Sequence, residues 1–154
     1  MLNEYSPSTP LLVRPVESAG DVFGLPERDV IGVLPIDEDC AIERAGGVLV
    51  MPMDDNRLRP LVSLGQALGR PSTAAERFVV VLRIGAQLFG LLVDRAFEPT
   101  NSTIYPDVRS ALAFATCIHI VRLADGRDVP VLNPVSLAFT AQRPEPTREL
   151  RLAA

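Results

Sequence analysis

The chain has 154 residues, a formal net charge of −4, and 47% hydrophobic side chains against 5% aromatic ones. That length predicts one domain with an aliphatic core that needs no staples. Every cation is arginine and no basic block forms, so nothing concentrates the positive charge that nucleic-acid binding demands.

Residues 1–9 are polar and punctuated by proline, the pattern of a loose arm. From residue 10 short apolar runs recur between turn signals, the pattern of an all-β domain. TPLLVR (9–14) leads through Glu17-Ser18-Ala19-Gly20 to DVFGLP (21–26), and DVIGVLP (29–35) follows. A polar loop, IDEDCAIERAGG (36–47), carries the chain to VLVMP (48–52). Asp54-Asp55-Asn56 is a turn signal, because Asn and Asp tolerate left-handed backbone. LRPLVSL (58–64) runs into one helical turn stopped by Gly69. The polar stretch GRPSTAAE predicts a joint near 69–77 between two halves of about five short strands each.

The second half opens with FVVVLRIGAQLFGLLVD (78–94), two apolar runs around a glycine turn. EPTNSTIYP (98–106) reads as a polar edge strand, and Asp107 caps a short helical segment, VRSALAFA. TCIHIVRL (116–123), the Asp125-Gly126 turn and RDVPVLN (127–133) form a further hairpin. Pro134 starts a final helical turn through SLAF. Residues 141–154 alternate charges and prolines and read as a tail, which leaves 10–140 as the domain.

No group of residues assembles a nucleophile, base and orienter. His119 is the sole histidine. Strand alternation puts it on one face with Cys117 and Val121, opposite Ile118 and Ile120, where it is a structural residue. Asp37, Glu38 and Asp39 lack the spacing of a calcium loop. The glycines form no phosphate loop, and the serines have no nucleophile-elbow context. Cys40 and Cys117 read as free thiols of a reducing compartment. The expectation is a chain with no catalytic residue, no metal and no cofactor. No apolar run approaches the roughly 20 residues of a membrane span, and Met1-Leu2-Asn3-Glu4 opens no signal peptide. Both point to a cytoplasmic protein without membrane insertion.

The 78–94 hairpin poses the central question. A half-buried strand alternates apolar and polar residues, yet Arg83 is the only charge between Phe78 and Val93. Either both faces are covered by the chain itself, or one is kept for a partner. Val80, Leu82, Leu91 and Val93 are expected to be buried. The surplus of apolar positions makes Val30, Ile31, Val33, Leu88 and Phe89 candidates for partner docking. Phe89 is the best anchor, because interface cores favour aromatics.

RFVVVLRIGAQLFGLLVD resembles the central hairpin of the CheW-like domain family. RLRPLVSLGQALG (57–69), RLADGRDVPVLNPVSLAF (122–139) and DVFGLPERDVIGVLP (21–35) are similar to its other motifs, in the family's order. The family includes chemotaxis coupling proteins and the regulatory domain of CheA-type histidine kinases. The resemblance implies two small five-stranded β-barrels packed together, with short helices. It also implies a non-catalytic adaptor whose partners are a CheA-type kinase, a chemoreceptor cytoplasmic tip held in the groove between barrels, and other copies of the fold. Asp55 and Asn56 stand at an Arg-Gly pair of the family's receptor-contacting turn, and Asp55 reverses its charge. The competing expectation is a small β-barrel that binds a ligand, or an enzyme of unknown chemistry.

Overall fold

The computed structural model describes residues 9–37, 42–45, 48–53, 57–69, 76–104 and 117–141. Strands β1 (Thr9–Ser18) and β2 (Asp21–Pro26) form a hairpin. Its turn residues Ala19 and Gly20 have φ of 52° and 87°, the paired positive values that match the twist of the flanking strands. A 3₁₀ turn (Glu27–Asp29) leads into β3 (Val30–Pro35). β4 (Glu43–Ala45), β5 (Val48–Pro52), β6 (Leu58–Ser63) and the one-turn helix α1 (Leu64–Ala67) follow. The apolar hairpin is β7 (Phe78–Ile84) and β8 (Gln87–Val93). The last elements among the described residues are β9 (Arg95–Ala96), β10 (Thr100–Ile104), β11 (Cys117–Leu123), β12 (Asp128–Leu132) and α2 (Pro134–Ala141).

Two sheets result. In the first, the order β10-β11-β12-β2-β1 is closed by a β10–β1 pairing into a five-stranded barrel, with β9 attached to β1. The length of β1 makes closure possible: Thr9–Val13 pair with β10, and Val13–Ser18 pair with β2. The second sheet has the order β3-β7-β8-β6-β5-β4 and stays open among the described residues. One of the two expected barrels is therefore seen closed. The strands also do not divide at 69–77. The first two strands join the last three in the barrel, and β3–β8 make the other sheet. β10 is not an edge strand, because it pairs with β1 on one side and β11 on the other. β4 and β9 fall in stretches too short and too charged to read as strands. The predicted 108–115 helix, the 1–8 part of the arm and the 142–154 part of the tail lie outside the described residues.

Two apolar clusters explain the hairpin. Val80, Leu82, Phe89, Leu91 and Val93 face a seam between the two sheets. There they meet Val16, Phe23, Leu25, Cys117 and Leu132 from the barrel, and Leu137 from α2. The opposite face of the hairpin, with Val79, Val81 and Leu92, packs on Met51, Met53 and Leu61. Both faces are thus covered within one chain. Val80, Leu82, Leu91 and Val93 are each 0% exposed, as the sequence predicts. The barrel interior is filled separately by Val13, Val121, Leu123, Val129 and Val131.

Two β-bulges set which face each side chain takes. In β11 the pairing shifts between Cys117, opposite Leu132, and His119, opposite Val131. The extra residue sends Cys117 into the seam while Val121 fills the barrel, so the expected single face for Cys117, His119 and Val121 does not form. In β3 the shift falls between Val30, opposite Leu82, and Gly32, opposite Val81. Val30 and Val33 therefore both pack against the seam, and Ile31 is pushed outward to 41% exposure.

Candidate docking surface

The seam ends in a groove. α2 follows β12 directly and is anchored by Leu137, which is 0% exposed in the seam. The helix begins where the Asn133 side chain accepts a hydrogen bond from the Val135 N–H at 3.1 Å. With Leu137 turned inward, Val135 and Phe139, four residues apart, share another face. They stand 48% and 69% exposed. Together with Ala138 and the tip residues Ile84 and Gln87 of the β7–β8 hairpin they line a groove of about 270 Å³. Four of the five side chains are apolar, so the groove offers burial to an apolar partner segment rather than chemistry to a substrate.

The residues singled out from sequence fall in three places. Ile31 is exposed on β3, as is Leu34 at 39%. Val30, Val33 and Leu88 are partly buried against core clusters of their own chain. Phe89 is 2% exposed inside the seam, which corrects its reading as an exposed anchor. The reason is tertiary: the seam takes the whole of one hairpin face, a demand invisible in a single strand. Asp55 and Asn56, like Glu38, Asp39 and Cys40, lie outside the described residues. Sequence reasoning found α2 but missed Val135 and Phe139. Their four-residue spacing was the available signal, though it serves a buried face equally well.

A second opening, about 570 Å³, lies where the N-terminal ends of β2 and β12 part. It is lined by Gly20–Phe23 and Arg127–Pro130. The two strands run parallel with one registered pair, Gly24 and Val131, and they splay beyond it. The charges at this rim are engaged: Asp128 pairs with Arg122 at 3.1 Å, and Arg127 with Asp125 at 2.9 Å. The backbone N–H of Arg127, ahead of its guanidinium, holds the Asp125 carboxyl below its ordinary range. His119 is half-buried and stands opposite Val131. Among the described residues no three His, Cys, Asp or Glu side chains converge as metal ligands. No described helix is long and apolar enough to cross a membrane.

A family model described as the CheW-like domain matches residues 15–141. The chain belongs to the CheW-like domain family. The CheW-like match spans both sheets and α2. Among solved structures, the chain is similar to the scaffolding protein TtCheW from Thermoanaerobacter tengcongensis. That likeness has a TM-score of 0.58 at 18% identity, over 80% of this chain and 89% of the other. At that identity it speaks for the CheW-like fold alone. No curated protein matches the chain by sequence.

Proposed function

We propose that this CheW-like protein is a non-catalytic cytoplasmic adaptor that couples a chemoreceptor-type sensor to a CheA-type histidine kinase through protein contacts. The observation that carries the reading is the groove between α2 and the hairpin tip, where Phe139 stands 69% exposed beside a filled seam. An apolar helix tip suits such a groove, because its side chains reach Val135, Ile84 and Phe139 without unpaired polar groups. β3, with Ile31 and Leu34 exposed, is the second surface, suited to a kinase domain of the same fold or another copy of this chain. Asp55 and Asn56, where the charge of the family's Arg-Gly pair is reversed, are a third candidate contact.

The test is co-purification with the CheA-type kinase and receptors of the same organism. Phe139→Asp should leave the melting temperature unchanged and weaken receptor capture at least tenfold. Ile31→Asp should do the same for the kinase or for self-association. Unchanged capture in both variants would remove the proposed surfaces. The cleft between β2 and β12 supports a second reading, a small-ligand site, since it exceeds the roughly 300 Å³ such sites occupy. A thermal-shift screen with metabolites, repeated on Val22→Trp to fill the cleft, decides that reading.

A further inference from the structure

The groove beside α2 extends onto a third strand. α2 lies against β6 as well as β7. β6 runs parallel to β8 with Leu61 level with Gly90, and continuing that register brings Leu58 level with Gln87. Alternation puts Leu58 on the seam face of β6, the face of Val62. Leu58 is 53% exposed, so Leu58, Val135 and Phe139 bring exposed apolar side chains to one end of the open sheet. The groove itself, about 270 Å³, falls short of the roughly 300 Å³ at which small-molecule sites begin. It has room for a few side chains of a peptide. Val135 and Phe139 project from one helix face about 6 Å apart along its axis.

We propose that the segment Arg148–Leu152 of the same chain docks in this groove, with Leu150 and Leu152 against Val135 and Phe139. Two features of the chain select this occupant. The first is where α2 stops. It closes at Ala141, just past Phe139, so residues 142–154 start at the wall of the groove. α2 is about 12 Å long, and Gln142–Glu149 reaches about 27 Å when extended, enough to leave the helix end and return along it. Pro144 and Pro146 have no N–H to continue α2 and favour the extended backbone that such a return needs. The second feature is composition. Among residues 142–154, proline aside, Leu150 and Leu152 are the apolar side chains larger than alanine. In an extended segment they share one side about 6.6 Å apart, near the spacing of Val135 and Phe139, while Glu149 and Arg151 face solvent. Tethering supplies an effective concentration on the order of millimolar, so a contact of two leucines suffices to fill the groove. The segment then competes with a partner helix for Phe139. On the adaptor reading, on which this consequence rests, it lowers the affinity for the sensor until the sensor displaces it.

Methyl NMR on the full chain tests the contact. Leu150→Asp with Leu152→Asp should move the methyl resonances of Ile84, Val135 and Ala138, and leave those of Val13 and Val129 inside the barrel in place. Phe139→Asp should move the Leu150 and Leu152 methyls of an otherwise wild-type chain. A synthetic peptide of residues 147–154, added to the double variant, should return the groove methyls to their wild-type positions with a Kd on the order of millimolar. Wild-type spectra should not change on dilution, because the contact lies within one chain. Groove methyls unmoved in the double variant overturn the proposal. So do groove methyls that shift with dilution, which put a second copy in the groove. Sensor capture is read separately. The double variant should bind a chemoreceptor-tip peptide about threefold more tightly than wild type, as expected when a tethered competitor is removed. Methyl shifts as expected, with no capture by any form of the chain, would support the docked segment and refute the adaptor reading alone.

Discussion

The carboxylate of Asp94 reaches 75 positions back along the chain to accept a hydrogen bond from the backbone N–H of Ala19. Ala19 is the one non-glycine residue with positive φ among the described residues. The contact joins the end of β8 to the β1–β2 turn, and so the open sheet to the barrel.

Left-handed backbone costs an alanine about 1 kcal/mol, and glycine adopts it freely. Ala19→Gly should therefore be neutral or stabilise the fold by up to about 1 kcal/mol, with Asp94 still accepting from the same N–H. Ala19→Val should destabilise it by about 1–2 kcal/mol. Urea titration of the two variants checks the order, and a more stable valine variant would contradict it.

Gly90 sits where parallel strands β6 and β8 pack against β7. A Cβ there would clash with Leu61 Cδ2 and lie 2.7 Å from Val79 Cγ1. Val79 is 0% and Leu61 3% exposed, so neither can retreat. Gly90→Ala should cost about 1–3 kcal/mol through overpacking. Gly24 makes the control: its nearest neighbour, Val131 Cγ2, is at 3.4 Å, and Gly24→Ala should fall within about 1 kcal/mol of wild type.

The seam predicts a graded response along the hairpin. Leu82→Ala and Leu91→Ala should each cost about 2–4 kcal/mol, through lost transfer energy and the cavity left behind. Phe89→Asp places an unpaired carboxylate at a position 2% exposed and should prevent folding at neutral pH. A folded Phe89→Asp protein, seen by circular dichroism, would mean that the seam opens in solution.

Two ion pairs differ in depth. Arg14 grips Glu27 through Nε and Nη2 at 3.0 and 2.9 Å, with side chains 16% and 21% exposed, and gives Nη1 to the Phe97 carbonyl. It braces both connections between barrel and sheet. Glu27→Gln should cost about 1–2 kcal/mol and resist added salt. Asp128→Asn breaks a pair 54% and 47% exposed and should cost at most about 0.5 kcal/mol, vanishing in salt. Equal costs in unfolding measurements would refute the distinction.

Local pattern determined much of this protein. The apolar runs, the Ala19-Gly20 and Asp125-Gly126 turns and the Pro134 helix start were readable because turn chemistry and strand composition are properties of a few neighbouring residues. The motif order carried the family resemblance. The doubly apolar β7–β8 hairpin also announced that both its faces must be covered. What covers them is non-local, and only the tertiary structure decided it: β10 closes the barrel on β1, 91 positions away at the Ser102–Leu11 hydrogen bond. Closure moved the dividing line of the domain from 69–77 to the crossovers on either side of β3–β8. The bulges at Ile31 and Ile118 reversed side-chain faces, since one extra residue breaks a period of two. Phe89 and Phe139 show the same limit. Both are aromatics in apolar runs, and a seam formed by distant strands buries the first while the end of that seam leaves the second in solvent.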